Sequence, residues 1–221
     1  MAYTMTHILI AEQVQKRLSE IEDGATYLLG TIAPDAVHAN PGYHPGLKET
    51  SHLLPPDVRW GRVEKEEQVE AWIDRIDRFY EENKTKYDRD FLLGYVVHLL
   101  VDVYSVLYFY IPYVKEFRED YENGGMQFRQ EAFGTNYEQY LTYSKEKDLQ
   151  QVLHAGRAFA LEGFIEKEDI EKRIDRLFQE EFRPQQVDTS GYMIYTLDKW
   201  EELIEGATDY ITERLLTRYL K

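Results

Sequence analysis

The chain has 221 residues, enough for one large domain with a substantial core. Its 41 acidic residues against 26 basic ones leave a net charge of -15, which excludes a general binder of nucleic acid or anionic membrane, because there is no basic excess to displace counterions. With no cysteine, disulfides and thiolate metal sites are excluded as well, and histidine and carboxylate remain as the strong metal ligands.

The opening run MAYTMTHILIAEQVQKRL lacks a basic leader and a small-residue cleavage site and passes directly into an amphipathic pattern, so a cytoplasmic protein is expected. His7, Ile10, Ala11, Val14 and Leu18 fall on one face of a first helix that begins near Thr6, with Thr6 available as its cap and His7 pointing inward. A second helix is expected from about Ala25 to Ala33, ending where Pro34 disfavours helical geometry in the residue before it. From Ala36 to Arg62 the periodicity disappears. Pro41, Gly42, Pro45, Gly46, Pro55 and Pro56 mark a long loop that also holds His38, His44 and His52, and a loop of that length in a compact domain is usually functional.

Val69, Trp72, Ile73, Ile76 and Phe79 restore the helical spacing. The next segment, Phe91 to Ile111, is apolar on nearly every face except one line, which carries Gly94, His98, Asp102 and Ser105. A helix of this kind must be buried, with its polar line facing something inside the protein. His98 and Asp102, spaced i, i+4, project from the same side and can share an ion, while Gly94 lets another backbone approach. A membrane span is disfavoured, since a central Asp costs roughly 2.5–3.5 kcal/mol on insertion scales and the chain offers no second candidate. The competing account is a core His98–Asp102 pair that holds no ion. Pro112 then interrupts or kinks the helix. Further helices are expected over Gln127–Tyr143, Asp148–Phe164 and Lys167–Phe182, followed by a loop from Arg183 to Tyr195 and a last helix capped by Thr196. No alternating run demands a sheet, so residues 1–221 are expected to form one all-α domain.

Taken in order, the pieces THILIAEQV, YLLGTIAPDAVH, KETSH and DFLLGYVVHLLVD resemble the zinc-dependent phospholipase C family, helical metallohydrolases distantly related to S1/P1 nucleases. The resemblance covers Thr6 to Tyr113, about half the chain. It implies His7, Asp35, His52, His98 and Asp102 as metal ligands, with Asp102 bridging two ions and Asp35 doubling as a candidate base. The third zinc site of secreted members is not supported, because His154 is the only histidine after Asp102. One or two divalent ions, zinc by preference, are therefore expected, with metal-activated water attacking a small-molecule or phospholipid-like phosphoester. His38 and His44 are candidates for orienting the ligands, and Lys48, Arg59 and Arg62 for contacting a substrate phosphate. Tyr104, Tyr108, Tyr110 and Tyr113 are expected to pack the core, although they could line a cleft.

Two rivals stand beside this reading. An HD-type phosphohydrolase is disfavoured because the chain has no adjacent His-Asp pair. A helical protein whose metal ligands are purely structural, or which serves as a scaffold, is the rival outside catalysis. The Glu49-x-x-His52 spacing used by di-iron bundles occurs once, in the Pro- and Gly-rich loop, where a bundle would need two on helices.

Overall fold

The computed structural model describes residues 2–220, and among them every regular element is helical, as expected. The first helices are α1 (Thr4–Arg17), α2 (Gly24–Ile32), a 3-10 segment (Ala33–Ala39), α3 (Pro45–Ser51), α4 (Glu66–Asn83) and α5 (Arg89–Ser105). A π-helical turn (Val106–Tyr110) leads into α6 (Ile111–Glu116), α7 (Arg118–Glu122), α8 (Met126–Tyr143), α9 (Leu149–Ala155), α10 (Lys167–Arg176) and α11 (Leu197–Arg214). One hydrophobic core runs from Met5 through the α5 residues to Tyr219, so both halves of the chain share it.

The inverted amphipathicity of α5 is resolved by burial on all sides. It is packed by α1, α2, α4 and α11, and every residue from Asp90 to Val103 is buried. Arg89–Glu116 is the one stretch among the described residues long and apolar enough to pass for a membrane span, yet 83% of its most apolar window is covered by the rest of the protein. Its closest neighbour is α2, and the approach depends on two glycines. A Cβ on Gly94 would lie 2.0 Å from the Tyr27 carbonyl oxygen, and one on Gly30 would lie 2.2 Å from that of Phe91.

Several boundaries differ from the sequence expectation. Helix α1 starts two residues before Thr6, on an extended Tyr3, so Thr6 is buried inside the helix and caps nothing. The expected loop after Ala36 is partly helical. Asp35 and His38 ride on the 3-10 segment, and Pro45 opens α3 at its first position, where a missing N–H is harmless. The stretch expected to be helical from Asp148 to Phe164 stops at Ala155. There Gly156 turns extended and passes so near α2 that a Cβ would come within 2.5 Å of the Ala25 oxygen. Pro112 is accommodated by the preceding π turn, since the ring cannot donate to Tyr108 and the wider turn lets Ile111 bond back to Val106.

The α2–α5 crossing predicts that Gly94→Ala forces the two backbones apart. Overpacking of this kind costs about 1–3 kcal/mol, which for a chain of this size lowers Tm by about 3–10 °C. A thermal melt that matches the parent would show that the crossing tolerates a methyl group.

Candidate metal centre

All five residues that the resemblance implies as ligands come together at one place. His7 comes from α1, Asp35 from the 3-10 segment, His52 from the C-terminal cap of α3, and His98 and Asp102 from α5. His52 Nε2 lies 3.1 Å from His98 Nε2 and 3.6 Å from Asp102 Oδ2, and His98 Nε2 lies 3.5 Å from the same oxygen. Asp35 Oδ1 is 3.4 Å from His52 Nε2, and the other Asp102 oxygen, Oδ1, is 3.7 Å from His7 Nε2. A tetrahedral ion with ligand bonds near 2.0–2.1 Å separates its ligand atoms by about 3.3–3.5 Å, and the spacings here, 3.1–3.7 Å, bracket that range. Two overlapping groups that share His98, His7–Asp35–His98 and His52–His98–Asp102, have the spacing to hold an ion.

The tautomers sharpen the geometry. The Thr31 carbonyl lies 2.7 Å from His98 Nδ1, and the Lys48 carbonyl lies 3.0 Å from His52 Nδ1. A carbonyl only accepts, which assigns the His98 proton to Nδ1. The Ser51 hydroxyl, also 3.0 Å from His52 Nδ1, donates to the Pro34 carbonyl at 2.9 Å, so the His52 proton is assigned to Nδ1 as well, and Nε2 of each ring is the lone-pair side. Those lone pairs face each other at 3.1 Å with two carboxylates alongside. Without a cation the contact is repulsive. His7 adds to the demand: both of its ring nitrogens are buried with no partner among the described residues, while its ring stacks on His98 with centroids 3.8 Å apart. Buried polar atoms left unbonded ordinarily have an explanation in a ligand.

The local backbone holds the rings in place. The indole N–H of Trp72 donates to the His52 carbonyl at 2.6 Å, and Tyr95 Oη donates to the Ser51 carbonyl at 2.6 Å. Leu53, the next residue, takes a left-handed φ of 57°, a conformation helices usually assign to glycine when they end, here in a buried branched side chain. At α5, Asp102 Oδ1 also accepts from the Ala2 backbone N–H at 3.2 Å.

Burial suppresses protonation of His7 and His52. It pushes His7 down to about 3, with the neighbouring His98 adding to the effect, and His52 down to about 4, helped by the Lys48 charge. Burial would raise the two aspartates, but Lys48 and His52 hold Asp35 well below the usual carboxylate range, and the surrounding histidines do the same for Asp102. His7 and His52 are thus neutral beside ionised carboxylates, the protonation state in which both residue types bind metal.

The remaining candidates separate. His38 Nε2 sits 3.8 Å from Asp35 Oδ1 and 3.2 Å from Lys48 Nζ, beside the ligands. Lys48 is bound to Asp35 Oδ1 at 2.7 Å and lies 4.2 Å above the Trp60 ring. His44, by contrast, is exposed at the start of α3. Arg59 is also turned to solvent, pairing with Glu49 at 2.9 Å, which likewise engages Glu49 away from the ligands. Arg62 reaches Tyr121, and His154 stands on α9, 3.9 Å from Asp175. Tyr110 and Tyr113 pack in an aromatic cluster; Tyr104, Tyr108 and Tyr113 also edge a separate surface cleft of 330 Å³.

A second cleft, of 310 Å³, reaches the site at Asp35, beside His38 and Lys48. Its far wall is Phe128, Arg129, Arg173 and Glu181, contributed by the second half of the chain, and Trp60 lines the near side. Sequence reasoning missed these residues. Arg173 and Glu181 lie among ordinary helical charges and only the packing of α10 against the 3-10 segment brings them to the site. No protein-family model, curated protein or solved structure matches the chain.

The depressed histidines predict the acid response of the chelator-treated protein. In the unfolded chain His7 and His52 take up protons near 6.5, whereas the folded protein resists until about 3 and about 4. The unfolded state binds more protons in that window, so stability falls as pH drops from about 6.5 toward about 4. Below that, the aspartates held low in the fold bring further loss as their unfolded counterparts protonate. Urea unfolding followed from pH 7.5 downward should show a falling midpoint; a flat profile between 6.5 and 4.5 would mean that the imidazoles protonate freely in the fold.

Proposed function

We propose that the protein is a metal-dependent hydrolase of phosphoesters, similar in its ligand set to the zinc-dependent phospholipase C family, and that His7, Asp35, His52, His98 and Asp102 hold one or two divalent ions, zinc by preference. The observation that carries this is the approach of His52 Nε2 to within 3.1 Å of His98 Nε2, flanked by two carboxylates. When bound, a divalent ion at such a site supplies Lewis acidity and a water that ionises near neutral pH.

The chain's own residues divide the remaining work. Thr31 and Lys48, through their carbonyls, keep the Nδ1 protons in place so that Nε2 stays free to ligate. Asp102 turns one oxygen toward His52 and His98 and the other toward His7, the orientation of a bridging carboxylate. Asp35, at 15% exposure, is the ligand open to the cleft. A carboxyl held so far below its usual range is a weak base, so we assign Asp35 to ligation rather than to proton abstraction. Lys48, fixed beside Asp35, places a positive charge where negative charge would build on a reacting phosphoryl group.

A structural metal site is favoured by a different observation. His7, His52, His98 and Asp102 are each 1% exposed or less, and structural zinc is closed by protein ligands whereas catalytic zinc keeps an open position. The open edge at Asp35 and its cleft weighs toward catalysis.

Protein purified without added metal should contain bound divalent ion, and zinc- or manganese-loaded protein should hydrolyse a member of a panel of aryl phosphodiesters, phosphomonoesters and short-chain phospholipids. Asp102→Asn should weaken metal binding by more than the about 10- to 100-fold typical of groups that only orient ligands, while the chelated protein keeps its Tm. His98→Ala should abolish both metal and turnover. Turnover that survives chelation would sink the mechanism, and a full metal complement in Asp102→Asn would remove that residue from the site.

A further inference from the structure

The lining of the second cleft carries one more cationic side chain than it carries carboxylates. Arg129, Arg173 and Lys48 face a space whose lining includes two carboxylates, Asp35 and Glu181. Both carboxylates are already engaged. Asp35 is held by Lys48, while Glu181 accepts from Asn136 Nδ2 at 2.9 Å and from Arg173 Nη2 at 3.0 Å. In a protein of net charge -15 such a concentration of cations around one opening is unlike the rest of the composition.

The guanidinium of Arg173 is pre-arranged. It is 13% exposed, and its Nη2 is fixed by Glu181 and by Thr4 Oγ1 at 3.2 Å, which leaves Nη1 without a partner among the described residues. A guanidinium already immobilised loses little further freedom on meeting an anion. Arg129 is exposed and held only by a contact to the Met126 sulfur, so its charge is also free for a ligand. On the facing wall Lys48 is held over Trp60. The space of 310 Å³ stands at the small end of ligand pockets, too small for a two-chain lipid and ample for a compact ester.

We infer that Arg129, Arg173 and Lys48 form an anion-recognition wall that takes the doubly charged phosphate of a small phosphomonoester in preference to a singly charged phosphodiester. The assignment of that phosphate as a substrate group rests on the phosphoesterase reading; the anion site itself does not. Lys48 and Arg173 each already face one carboxylate, so Arg129 supplies the uncompensated charge of the lining; a dianion gains about twice as much from that charge as a monoanion does, and the fork of Arg173 offers directed donors that a point charge lacks. The second half of the chain thereby acquires a role in recognition, while the ligands come from the first half.

Titration calorimetry of chelator-treated protein with inorganic phosphate and, separately, dimethyl phosphate tests this, above about pH 7.5 where phosphate is mostly dianionic. Phosphate should bind more tightly than dimethyl phosphate and less tightly as salt is raised. Arg129→Gln and Arg173→Lys should each weaken phosphate binding about tenfold, the value of one charge-assisted hydrogen bond. Arg118→Gln, at an exposed arginine paired with Glu122, should leave it unchanged. Should Arg173→Lys fail to fold, exposed Arg129 decides the matter alone. Parent-like phosphate affinity in Arg129→Gln, equal affinity for the two anions, or no phosphate binding by the parent would overturn the proposal. Metal analysis of the same samples separates the two readings: arginine-dependent phosphate binding by a protein that takes up no metal keeps the anion wall and discards the metal centre.

Discussion

The arrangement of the site depends on how closely α2 crosses α5. Gly30 and Gly94 leave no Cβ at the crossing, which brings the Thr31 carbonyl to 2.7 Å from His98 Nδ1 and so fixes which nitrogen of that imidazole carries its proton. A larger residue at either position would separate the backbones and free the ring to turn over. One packing contact between two backbones thus decides the chemistry of a side chain one helical turn away. The same logic is repeated at α3, where Trp72 and Tyr95 tie down the carbonyls of His52 and Ser51 and a left-handed Leu53 ends the helix. Backbone strain at a branched residue beside a functional side chain is the kind that surrounding structure must hold in place.

Ligation asks for neutral imidazoles and ionised carboxylates together, and burial alone would deliver only the first. It drives His7 and His52 toward neutrality but would also drive Asp35 and Asp102 toward their protonated forms. The carboxylates stay charged because each has specific company: Lys48 beside Asp35, and three imidazoles around Asp102. Lys48 therefore has two roles that pull the same way. It holds one carboxylate ionised and lowers the tendency of His52 and His38 to take a proton.

How much of this was legible in the sequence follows the range of the interactions concerned. The inward polar line of α5 could be read from Gly94, His98 and Asp102 alone, because helical spacing is a local property. Convergence of His7, Asp35 and His52 on that line could not be read from spacing. It followed from the order of the motifs, and the structure brings the five residues together. Helix α3 was hidden by its prolines and glycines, although Pro45 at its first position was the signal for it. Arg173 and Glu181 carried no local mark, since a helix read by period shows which face is apolar and not which charge meets a distant partner.

The charge of the chain and the charge of its cleft work in opposite senses. A net charge of -15 raises the local concentration of divalent cations and lowers that of anions around the protein as a whole. Beyond about 8–10 Å that field is largely screened at ordinary ionic strength, so an anion entering the cleft responds to what lines it. There it meets Lys48 paired with Asp35, Arg173 paired with Glu181, and Arg129, whose charge no carboxylate of the lining offsets. An acidic exterior with a basic entrance would suit the centre we propose, which would first gather cations and then admit an anion. The two requirements conflict on a uniformly charged surface, and here they are separated in space, with Asp102 buried, Asp35 at the edge of the cleft and the arginines along its wall.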